Sequence, residues 1–68
     1  MTQQQFRAAL DRLGLTQVEA AALLQVDKGT ISRWARGSRS VPPPVALLLQ
    51  LVEAIGLKRA AGILSVPG

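Results

Sequence analysis

The sequence predicts an all-α fold, a compact bundle of about five short helices. Three observations carry that reading. Apolar residues recur at intervals of three and four rather than two. Most apolar runs open on a capping residue, Thr2, Thr16 or Asp27, and close on a glycine, Gly14, Gly37 or Gly56. No segment alternates apolar and polar residues in the manner of a half-buried strand.

The first helix is expected over Gln3 to Leu13. Thr2 caps it and Gln5 reaches back, the reciprocal arrangement that satisfies two free N–H groups. Phe6, Ala9, Leu10 and Leu13 form its buried face, and Gln3, Gln4, Arg7 and Asp11 are left for solvent. Gly14 sits where a left-handed residue ends a helix. The second helix starts at Gln17, with Thr16 as cap and Glu19 as its partner. Ala20, Ala21 and Leu24 face inward, and the small Ala21 lets the next helix cross closely. Gln25, Val26 and Asp27 make the turn.

The third helix is expected from Lys28 to about Ala35. Asp27 caps it, and its negative charge suits a helix N-terminus. Ile31 and Trp34 point to the core with Val26, and Gly37 stops the helix. Ser38-Arg39-Ser40 is a polar, basic loop. Pro42-Pro43-Pro44 leads into a fourth helix from Val45 to Ile55, apolar on nearly every side, because proline is tolerated in a first helical turn. A weaker fifth helix covers about Leu57 to Leu64, interrupted by Gly62, and Val66-Pro67-Gly68 is expected to fray.

Composition narrows the function. At 68 residues the chain is read as one domain, with no repeat, linker or low-complexity segment. A domain of this size buries only about 60% of its unfolded surface. Cys and His are both absent, so neither a disulfide nor a zinc site supports it. Tight helix packing or a dimer must supply the stability. The net charge is +4, and the excess is localised: Lys28, Arg33, Arg36 and Arg39 fall within twelve residues that hold no acid. Arg7, Arg12, Lys58 and Arg59 are balanced by Asp11, Glu19, Asp27 and Glu53. A concentrated basic patch suits a polyanion, either nucleic acid or a membrane surface; the alternative is a solvated cationic loop. Coincidence with the two-helix pattern favours nucleic acid.

Other classes find little support. There is no His, Cys or Tyr, the four acids are scattered on caps and faces, and no Ser has a base beside it, so no enzyme is expected. No cluster suits a metal, no glycine loop cradles phosphate, and no cofactor or small-molecule substrate is implied. Met1-Thr2-Gln3-Gln4-Gln5 lacks the basic start and apolar run of a leader. The longest apolar stretch, Val41 to Ile55, is broken by prolines, Gln50 and Glu53, and is shorter than the roughly 20 residues that span a bilayer. A soluble, cytoplasmic protein without membrane association is expected.

The central pattern also carries a resemblance. Leu13-Gly14-Leu15-Thr16-Gln17-Val18-Glu19-Ala20-Ala21, then Val26-Asp27-Lys28-Gly29-Thr30-Ile31-Ser32-Arg33-Trp34, then Arg36-Gly37 followed by a basic loop and proline, resemble the phage repressor and Cro-type helix-turn-helix family, also called XRE-like. The resemblance runs from residue 3 to about residue 56, with the helix-turn-helix at 17–36. It implies a lambda-repressor-like bundle that binds double-stranded DNA through the major groove. Lys28, Gly29, Thr30 and Arg33 would then face the bases, with Ser32 beside them. Gln17, Arg36, Ser38, Arg39 and Ser40 would contact phosphates. The family usually carries glycine where this chain has Gln25; a positive φ there would cost glutamine roughly 1 kcal/mol.

Taken together, these readings predict a sequence-specific transcriptional repressor of phage or bacterial type, acting as a homodimer on an inverted repeat. Region 45–66 is the candidate dimerisation surface, with Ile55, Leu57, Ile63, Leu64 and Val66 as its apolar contacts; the alternative is that the last helix folds back and covers it. The rival function is an antitoxin-type or adaptor module that holds a partner protein on that apolar surface.

Overall fold

The computed structural model describes residues 1–64, without the side chains of Ala61 and Leu64. Val66 and the Leu64 side chain, both expected at an interface, lie outside the described residues. Five helices follow one another: α1 (Gln3–Leu13), α2 (Gln17–Leu24), α3 (Lys28–Arg36), α4 (Pro43–Ile55) and α5 (Leu57–Leu64). No strand occurs among the described residues, so the fold is an all-α bundle.

Local chemistry sets the boundaries. Thr2 Oγ1 accepts from the Gln5 N–H at 3.1 Å while Gln5 Oε1 accepts from the Thr2 N–H at 2.8 Å. Thr16 and Glu19 repeat that exchange at 3.1 and 2.9 Å. Each box satisfies two N–H groups that a bare helix start leaves open. Gly14 closes α1 at φ 69°. Gln25 closes α2 at φ 58°, ψ 43°, the one non-glycine residue with positive φ among those described. The left-handed position anticipated for Gln25 is therefore occupied, by a side chain that disfavours it.

Two boundaries differ from the sequence reading. The fourth helix begins at Pro43, two residues before Val45. Pro43 and Pro44 fill its first turn, where a missing N–H costs nothing because no intrahelical acceptor exists there. The fifth helix runs through Gly62 to Leu64 without a break.

The core joins α1, α2, α3 and α4. Phe6, Ala20, Ile31 and Leu49 are fully buried, and Leu10, Ala21, Trp34, Ala35, Val41 and Ala46 surround them. Leu13, Leu15, Leu24, Val26 and Val45 pack on the margin. Each large buried side chain contributes about 1.5–3 kcal/mol through removal from water. Phe6 and Trp34 meet edge to face, with ring centroids 5.8 Å apart and planes at 82°. The Trp34 Nε1–H is buried with no hydrogen-bond partner among the described residues. That side chain is therefore held by volume and ring contact. Arg12 bridges α1 to α4, its Nη2 lying 2.9 Å from Glu53 Oε1.

The apolar surface is shared between α4 and α5. α5 folds back on α4, burying Ala60 and half-burying Ile55 and Leu57, while Ile63 is exposed. Leu47 and Leu51, four residues apart on α4, are 65% and 54% exposed. The apolar face of α4 open to solvent thus centres on these two leucines.

Candidate nucleic-acid interface

Helix α3 is anchored from one side only. Ile31, Trp34 and Ala35 are buried, so a helix with 3.6 residues per turn presents Gly29, Ser32, Arg33 and Arg36 on its other faces, while Lys28 is exposed as the residue that opens the helix. Lys28, Arg33 and Arg36 are exposed, whereas Gly29, Thr30 and Ser32 are half-buried. α2 packs across α3, and Gln17, exposed in its first turn, lies on the same helix-turn-helix unit.

Asp27 organises the start of α3. Its Oδ2 accepts from the Thr30 N–H at 3.0 Å, and its Oδ1 accepts from the Thr30 hydroxyl at 2.6 Å. The two Thr30 bonds, side-chain first, hold the Asp27 carboxyl below the usual carboxylate range, and the Arg33 charge adds to them. Glu19 is likewise lowered, by the Thr16 N–H and hydroxyl that belong to its capping box.

Gly29 has a local reason to lack a side chain. A Cβ there would stand 2.9 Å from Asp27 Oδ2, with the Arg33 guanidinium nitrogens at 3.5 and 3.8 Å. The space is filled by the capping carboxylate and by Arg33, which lies back over the first turn. The bare glycine therefore makes room for the capping carboxylate of Asp27.

The basic loop is folded onto the end of α3. Gly37 takes φ 77°. The Arg33 carbonyl accepts from the Ser38 N–H at 3.0 Å, the Arg39 N–H at 3.3 Å and the Ser38 hydroxyl at 3.3 Å. These bonds return Ser38 and Arg39 to the turn that carries Arg33. Ser38, Arg39 and Ser40 are all exposed. A Cβ on Gly37 would collide with the Gln3 amide, so α1 also touches this corner.

The residues proposed from sequence therefore fall into two groups. Lys28, Gly29, Thr30, Ser32 and Arg33 lie along one stretch of α3, and Arg36, Ser38, Arg39 and Ser40 continue from its C-terminal end. Sequence reasoning missed the part played by Asp27 in fixing the Thr30 hydroxyl. The signal was present: an acid at the cap three residues before a threonine. It also missed Leu47 and Leu51, which share the outward stripe of α4.

Chemically, the stretch offers cations, hydroxyls and no exposed acid between Lys28 and Ser40. No group of three acid, His or Cys side chains able to hold a metal occurs among the described residues, and no described helix is long and apolar enough to cross a membrane. The helix-turn-helix family model matches residues 6–61 of the chain. No curated protein and no solved structure matches it.

Proposed function

Because the chain belongs to the helix-turn-helix family, of the repressor- and Cro-like (XRE) kind, and is thus a DNA-binding transcription regulator, we propose that it is a sequence-specific repressor that acts by occupying an operator. The observation that carries this reading is the one-sided anchoring of α3. With Ile31, Trp34 and Ala35 buried, the opposite face is free to lie in a major groove, about 12 Å wide.

In this reading Lys28 and Arg33 address guanine edges, Thr30 and Ser32 address bases within reach of a hydroxyl, and Gly29 keeps the approach short. Gln17 and the Arg36, Ser38, Arg39, Ser40 series contact phosphates on either side, fixing register without reading sequence. Repression is steric, since the bound protein excludes polymerase from a promoter in a bacterial or phage-infected cytoplasm.

The exposed pair Leu47 and Leu51, with Ile63 across a shallow apolar groove, supports a homodimer. Ile55 also lines that groove, and Leu57 is half-buried at the start of α5. A twofold dimer would set its two recognition helices about 34 Å apart, one helical turn of DNA. The same apolar surface also supports a second reading, in which it grips a different protein, as an antitoxin or adaptor does.

Selection from randomised duplexes, followed by gel shift, tests the proposal. An enriched inverted repeat, bound with a steep loss of affinity on raising salt, is the expected result. A protein that ignores every duplex yet forms a tight complex with another protein would establish the adaptor reading instead.

A further inference from the structure

The Thr30 hydroxyl is not free to rotate to whatever it meets. Its oxygen lies 2.6 Å from Asp27 Oδ1. An ionised carboxylate only accepts hydrogen bonds, so the hydroxyl proton must point at Asp27. The same carboxylate accepts from the Thr30 N–H at 3.0 Å, which fixes its orientation from a second direction. The missing Cβ of Gly29 leaves it room, because that atom would stand 2.9 Å from Asp27 Oδ2. Thr30 is half-buried, and with its proton engaged its oxygen has only lone pairs left to offer a ligand.

Resting on the reading of α3 as the base-facing helix, we infer that Thr30 is an acceptor locked by Asp27, and that it selects a base presenting an amino group in the major groove, adenine or cytosine, on the strand it faces. In the major groove each base pair carries one such group, adenine N6 or cytosine N4, and the opposite base presents a carbonyl oxygen. The contact therefore distinguishes the strand that holds the amino base rather than one pair from another. Guanine O6 or thymine O4 at that place would meet Thr30 oxygen to oxygen. Accommodating it requires turning the proton away from Asp27 and stripping the cap of a bond. An unlocked hydroxyl donates or accepts with equal ease and reads little.

The test is selection of the full-length chain on randomised duplexes, with wild type, Thr30→Val and Asp27→Ala run in parallel and folding checked by circular dichroism. Wild type should show one position at which adenine and cytosine together exceed guanine and thymine by about tenfold. Thr30→Val keeps the branched shape and the backbone cap bond, and should abolish that preference while sparing the others. Asp27→Ala frees the proton and should admit guanine or thymine there; if it does not fold, Thr30→Val decides alone. Identical base preferences for wild type and Thr30→Val would overturn the inference, as would a lost position that had separated A·T from G·C pairs, or purines from pyrimidines, rather than amino from keto bases. A wild-type chain that enriches no sequence overturns the reading of α3 itself, a different failure from one confined to the Thr30 position.

Discussion

Phe6 and Trp34 meet edge to face across the α1–α3 boundary, ring centroids 5.8 Å apart. The contact couples the first helix to the helix that bears the basic stretch. Trp34 is thereby turned inward, and its neighbours Arg33 and Arg36 are turned out. A ring pair of this geometry adds about 0.5–1.5 kcal/mol beyond the area it buries.

Phe6→Ala should cost about 3–5 kcal/mol, the range for a fully buried phenylalanine. Domains of this size hold roughly 5 kcal/mol in total, so the variant should lack a cooperative thermal transition above room temperature. A melting curve within two or three degrees of wild type would contradict the placement of Phe6 at the centre of the core.

Gln25→Gly should stabilise the protein. The backbone at φ 58°, ψ 43° is costly for glutamine and free for glycine, and the difference is no more than about 0.5 kcal/mol after the entropy of glycine in the unfolded chain is deducted. Urea titration should show a higher midpoint with an unchanged slope. A lower midpoint would show that the Gln25 side chain holds more than its backbone loses.

Acid should weaken the fold through the two capping carboxylates. Glu19 and Asp27 are both lowered in the folded state from ordinary values of 4.5 and 3.8. A depressed value means the caps stabilise fully above the ordinary range and lose that contribution as pH falls through the folded values. Urea midpoints should therefore be level from pH 8 down to about 5 and decline below it. The pair Glu19→Gln and Asp27→Asn should lower the plateau and shallow the acid decline. An acid limb as steep as that of wild type would locate its cause elsewhere.

Leu51→Glu tests the apolar face. Leu51 is 54% exposed, and substitutions at such sites usually change stability by no more than about 0.5 kcal/mol. If wild type forms the proposed dimer through this face, sedimentation should show dimer for wild type and monomer for the variant, with affinity for an inverted repeat reduced and affinity for a single half-site retained. Unchanged sedimentation would remove this surface from the dimer.

What was legible in the sequence follows from how far apart the interacting residues lie. Thr2 with Gln5, and Thr16 with Glu19, are three residues apart, so the capping boxes and the starts of α1 and α2 are local facts. The inward set on α3 is equally local, since Ile31 and Trp34 fall on one stripe. Pro43 and Pro44 obscured the start of α4 because prolines in a first turn look like a loop. The apolar girdle of α4 gave no periodic contrast, so nothing in it said that Ala46, Leu49 and Val52 face in while Leu47 and Leu51 face out. Arg12 and Glu53 pair across 41 positions, a contact that only the packing of α1 on α4 creates. The Asp27–Thr30 lock depends on a hydroxyl rotor, and spacing alone does not set it.

In the proposed function α3 reads bases while the loop beyond it grips phosphates. Binding of Arg33→Ala and Arg39→Ala to the selected site and to random duplex, across a range of salt, tests this most directly. Arg33→Ala should lose about 1–3 kcal/mol on the selected site and relax one base position. Arg39→Ala should weaken both duplexes alike and reduce the salt slope by about one. If Arg33→Ala held both duplexes with wild-type affinity, α3 would not be the reading helix.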